Sequence, residues 1–292
     1  MNLTDYIAAA PEMTLLVLIC VVLIADLFDE AEHRTLTFWL SMLSLLITAV
    51  VVWVTAGEGR QVVFYGAYVA DPLATILKLS TIALVGIAFL YARDYLRAND
   101  LNKGEYYLLG LFGLLGMMIM MSSNSLLTMY LGLETLALSM YALVAIDRKN
   151  VTAAESAMKY FVLGAIASGA LLSGLSGVSG GTGVLQCEQR AAALAAGPGL
   201  NNQPLWFGLA FLIVGIAFKF GAGPFHMWLP DVYQGARTPV TLYLATAPKL
   251  AAFALIFRVL VDGLGGLHET WSTMIMFVAV LSILVGNFIA IA

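Results

Sequence analysis

An all-α bundle of membrane-spanning helices, one of them discontinuous, is the fold class this chain of 292 residues predicts. Three observations carry that prediction. The sequence is 61% hydrophobic and only 11% charged, with a mean hydropathy of +0.91, whereas a soluble domain averages roughly 25% charged residues. Its apolar residues fall into runs of the length a bilayer requires. Inside one such run Gly221, Gly223 and Pro224 crowd together. Pro224 has no N–H, so the carbonyl four residues back, at Phe220, loses its usual partner. In hydrocarbon such a break is tolerable only where protein buries it or a wet cavity lines it.

Taken in order, the apolar spans are read at 13–28, 36–56, 72–92, 106–121, 125–146, 152–175, 205–235, 239–262 and 271–292, the fourth short and the seventh broken. Most reach the roughly 17–25 residues of a spanning helix. The segment before the first, MNLTDYIAAAPEM, holds Asp5 and Glu12 but no Lys or Arg. A secretory leader needs a basic start, so the first span is expected to be a retained helix. Ser173–Asn202 is rich in Gly and Ser, with Gly180, Gly181 and Gly183 together. No Lys-Ser or Lys-Thr follows and no strand precedes, so it is expected to be a flexible outer loop and not a phosphate cradle. The last span stops at Ala292 inside an apolar run without a flanking charge, which reads as a truncated or fragmentary chain.

If every span crosses, one side receives Arg34, Arg93, Arg97, Lys103, Arg148, Lys149 and Arg237, and the other Arg60 and Arg190. The positive-inside rule then places the N-terminus outside and the basic linkers in the cytoplasm. Asn150-Val151-Thr152 fits a glycosylation pattern but falls on the cytoplasmic side. The net charge of −4 is thinly spread and argues against a nucleic-acid partner. Cys20 and Cys187 are isolated, and His33, His226 and His268 lie far apart, so no metal, cluster or haem ligand set is visible. Redox chemistry would belong to another chain.

Charges within the spans are the strongest signal. Counting 1.5 Å per residue, Glu134 lies about 18 Å from the cytoplasmic end of span five, and Lys159 about 10 Å in from that end of span six. Lys219 sits about 20 Å below the outer end of span seven and Lys249 about 15 Å from the inner end of span eight. Each ionised group at such depth costs at least ~2.5–3.5 kcal/mol. Glu134 and Lys159 could pair between adjacent helices, as structural glue or as a switchable pair. Lys219 and Lys249 have no acid at similar depth on their own spans. A buried lysine exchanges protons when a neighbouring charge changes, so the set reads as a relay: the Glu134–Lys159 pair biases Lys219, and Lys249 is the next stop. His226, beyond the kink, either relays protons or caps loop carbonyls. Lys78 either snorkels outward or has a local role; Arg258 is expected to snorkel. Asp26 is expected to be solvated or paired, and Glu155 to be interfacial.

The segments LGLETLALSMYALVA, ESAMKYFVLGA, GIAFKFGAGPFHMWLPDVYQGA, TPVTL and APKLAAF resemble subunit N of proton-translocating NADH-quinone oxidoreductase, bacterial respiratory complex I. The likeness runs from the N-terminus to Ala292. PFHMWLPD is shared with the wider antiporter-like family, while DVYQGA and APKLAAF point to subunit N. The resemblance implies that Glu134, Lys159, Lys219 and Lys249 occupy proton-channel positions and that span seven is the family's discontinuous helix. It implies an N-terminal three-helix segment over 1–105, an antiporter-like repeat of five helices with a proton half-channel over 106–262, and the start of a second, inverted repeat over 271–292. The remainder of that repeat, with a further channel lysine, would lie after Ala292. The Gly/Ser stretch and Arg237 in GARTP depart from the family pattern, the latter placing a charge at the cytoplasmic mouth of span eight.

By this reading the chain is a proton-translocating membrane-arm subunit in the bacterial inner membrane, partnered by other membrane-arm subunits and the lipid bilayer. It carries no cofactor itself; NADH, FMN, iron–sulfur clusters and quinone are expected on partner subunits. A subunit of a multi-chain Na+/H+ antiporter is the alternative. A membrane scaffold with charges only as glue is a third reading.

Overall fold

The computed structural model describes residues 3–29, 35–99, 101, 103–195 and 203–291. His33 and Arg34, and positions 196–202 of the expected outer loop, lie outside them. Among the described residues nine helical segments are long and apolar enough to cross a membrane. A short α1 (Leu3–Ala8) leads into α2 (Ala10–Phe28) and α3 (Thr35–Val54). Then come α4 (Pro72–Ala98), α5 (Gly104–Ser122), α6 (Leu126–Val144) and α7 (Val151–Thr182). A short α8 (Cys187–Ala195) precedes the broken pair α9 (Gln203–Phe220) and α10 (Trp228–Gly235). The chain continues through α11 (Thr238–Ile256), whose end turns π-helical over Phe257–Asp262, to α12 (His268–Ile291). The fourth expected span is longer than its apolar run, because Gly104 and Glu105 join the first turn.

Local chemistry sets several of these boundaries. Asp71 caps α4, accepting the Ala74 N–H at 2.8 Å, and Pro72 follows where a missing N–H costs nothing. Asn150, the residue of the glycosylation pattern, caps α7 by accepting from Thr152 and Ala153. The helix α5 runs through the centre, touching α2, α3, α4, α6 and α11. Its crossing with α6 admits no side chain: a Cβ at Gly116 would stand 2.6 Å from the Gly132 carbonyl oxygen.

Two connecting regions define the two faces of the bundle. On the basic face, Tyr106 donates to the Pro239 carbonyl at 3.2 Å, and Arg237 pairs with Asp147. On the opposite face a hairpin that the all-α reading did not foresee, β1 (Gln61–Val63) and β2 (Tyr68–Ala70), pairs in antiparallel register. There the Asn124 N–H reaches the Ala67 carbonyl at 3.0 Å, and the Leu126 N–H reaches that of Leu185 at 3.2 Å.

Two expectations are corrected, and a third is decided between its two readings. Ser173–Thr182 is not a loop but the last turns of α7, and Cys187–Ala195 forms α8. Glycine lowers helix propensity by about 1 kcal/mol, yet here it lets α7 and α9 meet backbone to backbone, the Gly174 and Gly177 positions lying against Gly208. Gly183, at φ 72°, ends the helix. Arg258 does not snorkel. It is fully buried, its guanidinium held by both Asp71 oxygens at 2.7 Å, by Asp262 at 3.1 Å and by the Met121 carbonyl. Lys78 takes the local role of its two readings: it is buried and pairs with Glu12 at 2.6 Å while donating to the Tyr68 hydroxyl at 2.9 Å. In both cases a carboxylate brought from a distant element makes burial tolerable. Asp26 is paired, accepting from the Thr37 hydroxyl at 2.7 Å.

Candidate functional site

The site is built on the break between α9 and α10. Gly221 adopts φ 69°, so α9 closes in a left-handed turn. The Ala222 N–H bonds the Ala217 carbonyl and the Gly221 N–H that of Phe218, each at 2.9 Å, the pairing of a Schellman end. The Lys219 and Phe220 carbonyls are left over at the C-terminal, negative end of the helix dipole. Lys249 of α11 takes them: its ammonium donates to the Phe220 carbonyl at 3.1 Å and to that of Lys219 at 3.4 Å. The freed carbonyl expected at Phe220 and the mid-membrane lysine expected at Lys249 therefore satisfy each other.

Trp228, first residue of α10, completes the wall. Its indole N–H donates to the Phe218 carbonyl at 3.0 Å, and its ring stacks on Tyr160 at 4.8 Å and on Phe218 at 5.5 Å. The Lys249 ammonium lies 5.7 Å from that ring, within cation–π range. Lys219 and Lys249 line one cavity with Trp228, Tyr160 and Pro248, of about 40 Å³. That is room for a few waters at roughly 10–15 Å³ each.

Glu134 lies within electrostatic reach of Lys219, and Tyr130 and Tyr141 within reach of Glu134. Its Oε1 is buried and has no hydrogen-bond partner. The expected Glu134–Lys159 pair is not formed. Lys159 instead bridges Glu155, four residues back on α7, at 2.9 Å and Asp231 of α10 at 3.2 Å. The reason is helical geometry: Glu155 sits one turn away on the same face, and α10 packs along α7, with Ser156 donating to the Asp231 carbonyl at 2.9 Å. Glu155 is exposed and is also a partner of Lys159.

His226 lies in the connecting segment, off the lysine cavity. Its Nδ1 is buried without a partner; capping the carbonyls of the break falls to Lys249 and Trp228. The contacts of Asp231 and Trp228 were not foreseen, although both stand in the PFHMWLPD motif. Among the described residues no group of three or more His, Cys, Asp or Glu is placed to hold a metal ion.

Residues 123–292 match the family model described as NADH:quinone oxidoreductase/Mrp antiporter, TM. The chain belongs to that family. NADH-quinone oxidoreductase subunit N of Thioalkalivibrio sulfidiphilus is 50% identical over 292 residues, covering 100% of this chain and 61% of the relative. A chain of respiratory complex I from Thermus thermophilus, solved with aureothin bound, superposes with a TM-score of 0.71 at 31% identity, over 85% of this chain and 52% of that one. A chain of the Mrp complex from Dietzia shares the fold, with a TM-score of 0.68 at 20% identity over 90% of this chain and 49% of that one. The resemblance to subunit N and the antiporter-like, multi-pass membrane fold read from the motifs are thereby borne out. The chain spans about three fifths of the length of the curated relatives it matches.

Proposed function

We propose that this chain is the proton-translocating membrane-arm subunit N of a bacterial NADH-quinone oxidoreductase, driven by quinone reduction in partner subunits. The observation that carries the reading is the Lys249 ammonium seated on the free end of α9, in the same small cavity as Lys219. Burial penalises the Lys219 ammonium and the Glu134 carboxylate favours it. Glu134, within electrostatic reach of Lys219, biases that ammonium, and water in the cavity carries its proton toward Lys249. Lys159, held by Glu155 and Asp231 near the basic face, acts at the approach to Glu134, and His226 serves the far side of the break. NADH, FMN, iron–sulfur clusters and quinone belong to the partners. The basic face is cytoplasmic and the N-terminus outside, which the grouping of Lys103, Arg148, Lys149 and Arg237 supports. The unit over 106–262 is the half-channel, preceded by the three-helix segment 1–105 and followed by the start of a second repeat at 271–292.

The experiment is Lys219→Ala in the assembled oxidoreductase, reconstituted in liposomes. Protons moved per electron are expected to fall to a small fraction of the wild-type ratio while assembly persists. An unchanged ratio defeats the relay. The family description also names the Mrp antiporters, so a Na+/H+ exchanger subunit is the second reading. It requires transport that depends on Na+ and proceeds without electron transfer.

A further inference from the structure

On the basic face, the ends of α4, α5 and α6 and the start of α11 enclose a polar cavity of about 710 Å³. Four cations line it, Lys103, Arg148, Lys149 and Arg237, against the one carboxylate of Asp147. That carboxylate is already engaged by Arg237, whose Nε donates to it at 2.9 Å. Arg148 meets Glu105 at 3.6 Å, but both side chains are largely exposed, so the pair leaves most of the cation's field available. Asn99 and Asn150 add neutral polar groups to the lining.

A second cavity, of about 440 Å³, adjoins the first through Ile146 and Arg148, which line both. It is a groove between α5 and α6, floored by Leu108, Leu109 and Phe112 and by Ala142, with Leu23 of α2 at its side and Glu105, the partner of Arg148, at its mouth. Phe112 is eight residues into α5, so the groove runs about 12 Å into the membrane. A cationic recess at the interface therefore lies beside a largely apolar groove in the hydrocarbon layer, with Ile146 and Arg148 common to both linings.

We propose that recess and groove together are a binding site for an anionic glycerophospholipid, its phosphate among Lys103, Arg148 and Lys149 and one acyl chain along the α5–α6 groove. The charge complementarity selects the headgroup, since each Lys or Arg near an anionic lipid surface adds favourable attraction. Adjacency of the two cavities selects a lipid over other occupants. A free anion has use only for the polar half, and a helix of another subunit only for the apolar half. The inference does not depend on the proton relay.

The test is native mass spectrometry of the full chain in a neutral detergent, titrated with phosphatidylglycerol or with phosphatidylcholine of the same acyl chains. Phosphatidylglycerol is expected to be retained preferentially. Replacing both Lys103→Gln and Lys149→Gln should cut its retention by about fivefold per cation and leave phosphatidylcholine unchanged. The exposed Arg148→Gln, alone, is a second variant should the pair compromise folding, which the melting temperature reports. Ala142→Trp, filling the groove, should weaken both lipids. Equal retention of the two lipids, or full phosphatidylglycerol retention in the charge variants, overturns the proposal. Displacement of phosphatidylglycerol by an equal concentration of glycerol phosphate overturns it in favour of a free anion. A photo-crosslinker at position 142 that captures protein and not lipid in the assembled complex overturns it in favour of a subunit contact.

Discussion

A lysine ammonium far from bulk water needs its charge met, and Lys249 meets it with backbone. Two carbonyls at the end of a half-helix, not a carboxylate, receive it, so the contact brings no opposite formal charge. Contrast Lys78, whose Glu12 at 2.6 Å neutralises it outright. On the proposed relay the first arrangement serves proton exchange, whereas the second holds helices together. At the basic face Asp147 and Arg237 supply a pH-dependent contact of the structural kind. The Arg237 guanidinium, hydrogen-bonded to Asp147, holds that carboxyl below the usual carboxylate range. A depressed carboxyl contributes stability above its unfolded pKa of about 3.9 and loses it as pH falls through the folded value. Arg237→Gln is therefore expected to lower the melting temperature at pH 7, with the gap to wild type closing as pH drops below about 4. A gap that stays constant down to pH 2 (roughly two units under the reference value) would remove the pair from the account.

Helices α7 and α9 show what glycine does inside a spanning element. A Cβ at Gly174 would stand 2.5 Å from the Leu212 backbone nitrogen, whereas one at Gly180, on the exposed side of α7, would meet nothing within 4 Å. Two glycines of one helix thus carry opposite predictions. Gly174→Ala should force the helices apart and destabilise the protein by ~1–3 kcal/mol. Gly180→Ala should stabilise by ~0.5–1 kcal/mol through helix propensity alone. Thermal unfolding of both variants in detergent checks the pair. Similar shifts for both would mean that the α7–α9 contact is looser than the backbone approach implies. Because α9 carries the Lys219 end of the site, its seating on α7 also sets where the break falls.

Across the whole molecule, the face opposite the basic one is tied by Arg258. The guanidinium joins Asp71 at the head of α4, the Met121 carbonyl at the end of α5 and Asp262 at the end of the π-helical turn. Removing one partner of a buried pair leaves the other uncompensated, at ~3–5 kcal/mol. Arg258→Met alone is accordingly expected to cost about that much. Adding Asp71→Asn, which keeps an N-cap acceptor but removes the stranded charge, should recover part of the loss. Strict additivity of the two substitutions in unfolding measurements would show that they do not communicate.

The nine apolar runs, the mid-membrane lysines and the Gly-Pro break were all legible in the linear chain, because span length, hydropathy and backbone breakers are local properties. The motif PFHMWLPD even held the two residues, Trp228 and Asp231, whose contacts went unread. Partner choice was not legible. Lys159 took Glu155 and Asp231 instead of Glu134; Arg258 was buried on Asp71, 187 positions away, instead of snorkelling, and Lys78 found Glu12, 66 positions away. A Gly/Ser stretch became helix because α9 lies against it. Depth along a span follows from counting residues, but which charge faces which depends on helix rotation and crossing, and only the packed bundle sets those.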